Sequence, residues 1–110
     1  MNINIREFKR VSIMTVEGRI DSNTAAEFED SVESALSNSG GNLIFDLFKV
    51  DFLSSSGLRV LVTANKKSKS KSGELSICCL SKQARESLTI AGLDVLFQIY
   101  PDRETAIGSY

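Results

Sequence analysis

Residues 50–62 read VDFLSSSGLRVLV, an apolar stretch that runs through three consecutive serines and a glycine into a second apolar stretch. This junction decides the fold. Val50 to Leu53 close a strand region, and from about Ser56 onward Leu58, Leu61, Val62 and Asn65 lie along one helical face. A strand that hands over directly to a helix, with hydroxyls crowded at the handover, is the unit from which the rest of the chain is read outward.

Upstream, LIFDL (43–47) is short and continuously apolar, as an interior parallel strand requires, and NSGG (38–41) before it is a stop and turn signal. Ahead of that turn a helix runs to about Asn38, with Ala25, Phe28, Val32, Ala35 and Leu36 inward and its acids on the other side. Thr24 and Glu27 have the spacing of a capping box at its start. Earlier still, alternation at Ile3 and Ile5, then at Val11, Ile13 and Val16, predicts a first strand pair that Gly18 ends.

Downstream, the motif helix fades through KKSKSKSG, its lysines suited to the negative end of the helix dipole and Gly73 to its termination. ELSICCL (74–80) reads as a buried strand. Ser81 caps a helix over 82–91 with Ala84, Leu88 and Ala91 inward and Gly92 as its stop. LFQIY (96–100) is a last short strand, and Pro101-Asp102 opens a final helix toward Gly108. The predicted order is β-β-α-β-α-β-α-β-α: an α/β fold in one domain over 1–110, with about five strands, about four helices, right-handed crossovers and an antiparallel element at the start.

At 110 residues and 42% hydrophobic, the chain has enough material for one core. A net charge of −1 argues against a direct nucleic-acid partner. No apolar run is long enough for a membrane span, and MNINIREFKR lacks the apolar core of a secretion signal, so a soluble cytoplasmic protein is expected. Charge is unevenly spread: six acids lie within 17–33 against Arg19 alone, and five bases lie within 59–71 with no acid. That asymmetry can orient a protein partner, or simply reflect solvated helix faces. The only cysteines, Cys78 and Cys79, are adjacent, and in a strand they would face opposite sides as reduced, structural thiols.

Composition also removes chemistry. With no histidine, no Ser-His-Asp relay and no histidine-based zinc site can be assembled, and no acidic cluster has the spacing of a calcium loop. No catalytic residue, metal or cofactor is therefore expected. A nucleophilic serine would need a lysine base that the motif lacks, and SSSGLR has neither the glycines nor the lysine of a nucleotide-binding loop.

What remains is position. In open α/β sheets the functional crevice lies outside the carboxyl ends of the strands, which is where 50–57 falls. A hydroxyl there sits near unpaired N–H groups and the positive end of the helix dipole, so an attached anion is favoured by up to about 1–2 kcal/mol. A phosphoserine supplies such an anion. Ordinary N-capping by Ser54, Ser55 or Ser56 is the alternative, but one cap needs only one serine.

Taken together, GRIDSNTAAEFE, NLIFDLFKVDFLSSSGLRVLV and SGELSICCLSKQARESLTIAGLDVLFQIY resemble the STAS domain, specifically the small free-standing anti-sigma factor antagonists of bacteria. The likeness covers essentially the whole chain and is most specific from Asp46 to Leu61. It implies a β-α superhelix with helices packed on a mostly parallel sheet, and a switch by partner exchange. The unphosphorylated antagonist binds an anti-sigma factor, often a serine protein kinase, and frees a sigma factor. Phosphorylation of a serine at the start of the motif helix dissociates it, and a metal-dependent serine phosphatase restores it. Carried over by position, the phosphoacceptor is Ser55, with Ser54 and Ser56 as secondary candidates, because Ser54 stands where many members have aspartate. The implied partner-binding surface comprises Asp21, Ser22, Asn23, Thr24, Ser54, Ser56, Gly57 and Leu58. Some relatives are constitutive adaptors that are never phosphorylated, which is the alternative function.

Overall fold

The computed structural model describes residues 1–110. Two strands, β1 (Asn2–Phe8) and β2 (Val11–Ile20), are followed by α1 (Ala25–Asn38), β3 (Leu43–Leu53), α2 (Ser55–Ser70), β4 (Leu75–Cys78), α3 (Lys82–Ile90), β5 (Gln98–Tyr100) and α4 (Arg103–Gly108). The predicted order is the observed one. The strands form a single sheet in the order β1-β2-β3-β4-β5, in which β1 is antiparallel to β2 and every other pair is parallel.

Alternation along the strands divides the core in two. Met14, Val16, Phe45, Leu47 and Ile77 pack with Phe28 and Val32 of α1, Val60 and Leu61 of α2, and Ala84 and Leu88 of α3. Val11, Ile13, Ile44 and Cys78 point to the other face and meet Ala106 of α4. Three helices therefore cover one side of the sheet and the short α4 covers part of the other. Phe28 and Phe45, two of the three phenylalanines of the first cluster, are fully buried with ring centroids 5.7 Å apart.

Several local expectations need correction. Gly18 does not end β2. The strand runs on to Ile20 through two register irregularities, and Gly18, at φ 102°, provides a backbone state that other residues avoid. Thr24 and Glu27 form no capping box, since Thr24 makes no side-chain cap bond to α1. The buried stripe of α2 is Gly57, Val60, Leu61, Ala64, Asn65 and Ser68, whereas Leu58 and Val62 lie half-buried at its flanks. Small residues bring this helix close to its neighbours: Ser68 Oγ donates to the Gly41 carbonyl at 2.6 Å. At the end of α2 it is Ser72, at φ 62°, that turns left-handed. Gly73 is required for a different reason, because a Cβ there would fall 2.4 Å from the backbone carbon of Gly41. Ala91 is exposed, and β4 and β5 are shorter than predicted. Cys79 lies outside β4 at φ 61°, so only Cys78 is a core residue of the strand.

No helix is long and apolar enough to cross a membrane.

Candidate functional site

The three serines of the β3–α2 junction have separate roles. Ser54 is the N-cap of α2: its backbone is extended, and its hydroxyl accepts from the Gly57 N–H at 3.3 Å. Its own N–H donates to the Ile20 carbonyl at 2.9 Å, which ties the end of β3 to the end of β2. Ser55 is the first helical residue and is exposed, while Ser56 is half-buried. The cap uses one hydroxyl and leaves Ser55 displayed on the first turn, where no acidic residue stands.

Gly57 is buried directly beneath this turn. A Cβ on it would approach Ile20 Cγ2 to 2.6 Å and Leu53 Cδ1 to 2.7 Å. Glycine thus lets the first turn of α2 rest on the ends of β2 and β3, and so fixes how far Ser55 stands above the sheet. Leu58 is half-buried against the core.

The loop 21–24 is built around Asp21. Its carboxylate accepts from the Asn23 N–H at 2.9 Å and the Thr24 N–H at 3.2 Å, and Arg19 Nε lies 3.3 Å from its other oxygen. The hydrogen bond donated by the Asn23 N–H is the main reason its carboxyl is held below the usual carboxylate range, with Arg19 and Thr24 adding to it. Thr24 Oγ1 accepts from the Asp21 N–H at 2.9 Å and lies 3.0 Å from the Arg19 carbonyl, to which it donates. These bonds engage the hydroxyl in closing the loop, which explains why no capping box forms. Ser22 and Asn23 are exposed.

The fold brings the two segments to one place. Ser22 and Ser56 line the same groove of about 350 Å³ between α1 and α2, together with Ala26, Glu29, Arg59 and Thr63. Glu29, Arg59 and Thr63 were not among the residues singled out from the sequence. Arg59 and Thr63 follow Ser56 by three and seven residues, a helical spacing that carries the signal once the groove-facing side of α2 is known. Arg19 was missed as well: its guanidinium stacks 4.1 Å from the ring centroid of Phe52, which is itself 40% exposed, beside the same junction. Nearby, Lys67 of α2 pairs with Glu33 of α1, so the basic and acidic segments meet across the helix pair and are not wholly separate solvated faces.

Comparison with known proteins agrees with this architecture. The family model of the STAS domain matches residues 2–106. BtrV of Bordetella bronchiseptica is 26% identical over 110 residues, covering 100% of this chain and 95% of its own. The anti-sigma-F factor antagonist RsfB of Mycobacterium tuberculosis is 24% identical, covering 97% of this chain and 87% of its own. Among solved structures, an anti-sigma factor antagonist from Mycobacterium paratuberculosis superposes with a TM-score of 0.88 at 28% identity, over 98% of this chain and 92% of that one. A match across nearly every residue, with five strands and four helices in the same arrangement, means that this chain belongs to the STAS domain family and is similar to its anti-sigma factor antagonists from end to end.

Proposed function

We propose that this protein is an anti-sigma factor antagonist whose binding is gated by phosphorylation of Ser55. The observation that carries the reading is the division of labour in the serine turn: Ser54 holds the helix cap, and Ser55 is left exposed on the same first turn. A phosphate on Ser55 would lie over the positive end of α2 and four residues before Arg59, so the free domain tolerates the charge. A partner seated across Ser55, Ser22 and the α1–α2 groove would have to accommodate about two added negative charges at a desolvated contact. Such a mismatch costs several kcal/mol, enough for about a hundredfold change in affinity.

The partner implied by the relatives' names is an anti-sigma factor, here of the serine kinase type, with a metal-dependent serine phosphatase to reverse the modification. Nothing in the reading asks the domain itself to catalyse a reaction. Incubation with the cognate kinase and ATP, followed by mass mapping, is expected to find phosphate on Ser55. Phosphate absent from residues 54–56 would overturn the gating. Ser55→Ala should bind constitutively and Ser55→Asp weakly; equal affinity for wild type and both variants would instead identify a constitutive adaptor.

A further inference from the structure

The second feature at the carboxyl end of the sheet lies on the α4 side, away from α2. The regular strand geometry of β4 ends at Cys78, and Cys79 takes a left-handed backbone conformation, φ 61°, that non-glycine residues adopt infrequently. In a continued strand the two side chains would point to opposite faces. Here the turn brings both sulfurs to one side, beside the carboxylate of Asp46, and the donor atoms of the three residues all lie within 4.8 Å of one another. Asp46 and Cys79 line a cleft of about 410 Å³ with Phe48, Leu80, Arg85 and Tyr100, while Cys78 is fully buried and does not line it.

Asp46 is oriented firmly. Arg103 Nη2 donates to its Oδ2 at 2.7 Å and to Thr15 Oγ1 at 2.8 Å, and the Phe48 N–H donates to its Oδ1 at 3.1 Å. Each carboxylate oxygen keeps further acceptor capacity, and the arginine is placed as an outer partner that steadies a ligand and balances its charge.

We propose that Cys78, Cys79 and Asp46 form a binding site for a soft divalent d10 cation, zinc or cadmium, with the cleft supplying the remaining coordination position. Two sulfur donors select such ions over magnesium or calcium, which take oxygen ligands. A tetrahedral ion with the usual zinc–sulfur and zinc–oxygen lengths draws its ligand atoms to roughly 3.5–3.8 Å apart, so the closure asked of these side chains is about 1 Å. Binding converts two thiols to thiolates and releases two protons. The charge of two thiolates, one carboxylate, one divalent ion and Arg103 then sums to zero. Without histidine the sequence offers no histidine-based zinc site, and in a continued strand the adjacent cysteines would face opposite sides; the backbone turn at Cys79 is what joins them.

The test is titration of the intact protein with cadmium alone, followed by the thiolate-to-cadmium charge-transfer band in the ultraviolet. The expected result is a saturable band at one ion per chain that zinc competes away, is lost in Cys79→Ser, and shows at least about tenfold weaker affinity in Asp46→Asn. X-ray absorption of the cadmium-loaded wild type, which depends on no variant folding, should count two sulfurs in the shell. No saturable band, a shell without two sulfurs, or unchanged affinity in a folded Asp46→Asn would overturn the proposal.

Discussion

The β3–α2 and β4–α3 turns lie at the same end of the same sheet and begin in the same way, yet they are put to different ends. Each helix is capped by a serine whose hydroxyl accepts from the N–H three residues on, Ser54 from Gly57 and Ser81 from Ala84. Ser81 is buried, and its hydroxyl also donates to the Val50 carbonyl at 2.6 Å, binding α3 to the strand beside it. Ser54 is half-buried and is followed by the exposed Ser55, where α3 has Lys82. At the third position after the cap, α3 carries Ala84, fully buried with room for its methyl group, whereas α2 carries Gly57, which has none. The same cap thus serves as a structural rivet in one turn and as a pedestal for a free hydroxyl in the other. A helix start is stabilised by its cap; the proposed switch at Ser55 needs a second hydroxyl left outside the cap.

The largest effect should separate the two turns by charge. Ser55→Asp is expected to weaken binding to the cognate anti-sigma factor by about a hundredfold or more, near 2.8 kcal/mol, while Lys82→Asp at the matching position of α3 changes it less than about threefold. Calorimetric titration of both variants would break the comparison if they lost affinity alike.

Next come the caps. Ser81→Ala removes a cap and a bond to an interior carbonyl, and should lower stability in urea by about 2 kcal/mol, against about 1 kcal/mol for Ser54→Ala. Equal losses would mean that burial does not distinguish the two serines. Gly57→Ala should cost about 1 kcal/mol net despite the better helix propensity of alanine, because the added methyl meets Ile20 and Leu53. A stabilised Gly57→Ala would show that the turn can lift off the sheet without penalty.

The smallest effect concerns acid. Asp21 has a lowered folded pKa, so its contribution is present above the ordinary value of 3.8 and is lost as pH falls through the folded value. Protection of the Asn23 and Thr24 amides, measured against their intrinsic exchange rates, should fall in that window, while the Ser81 cap, which does not titrate, holds. Asp21→Asn should remove the pH dependence.

Much of this was legible along the chain. Element order follows from hydrophobic period and punctuation, which are local: LIFDL reads as an interior strand, and the spacing of Phe28, Val32 and Ala35 as a helix face. Ser81 and Asp102 were recognisable as helix openings, and Asp102 does accept from the Thr105 N–H at 2.7 Å. Thr24 misled because the capping-box spacing is satisfied by residues whose hydrogen bonds are claimed elsewhere, in this case by the Asp21 loop. The face of α2 was misjudged because the larger Leu58 and Val62 drew attention from Gly57, Ala64 and Ser68, whose small size is what permits close approach.

The chain alone determined that a strand would hand over to a helix within residues 50–57 and that hydroxyls would crowd that point, because periodicity and capping act over a few residues. It left open which serine would cap. Only packing decided that Ser54 would be consumed and Ser55 displayed, that Ser22 and Ser56 would share a groove, and that the two cysteines would face the same way beside Asp46. Those outcomes depend on contacts between segments distant in sequence, and no local pattern encodes where a distant backbone will come to rest.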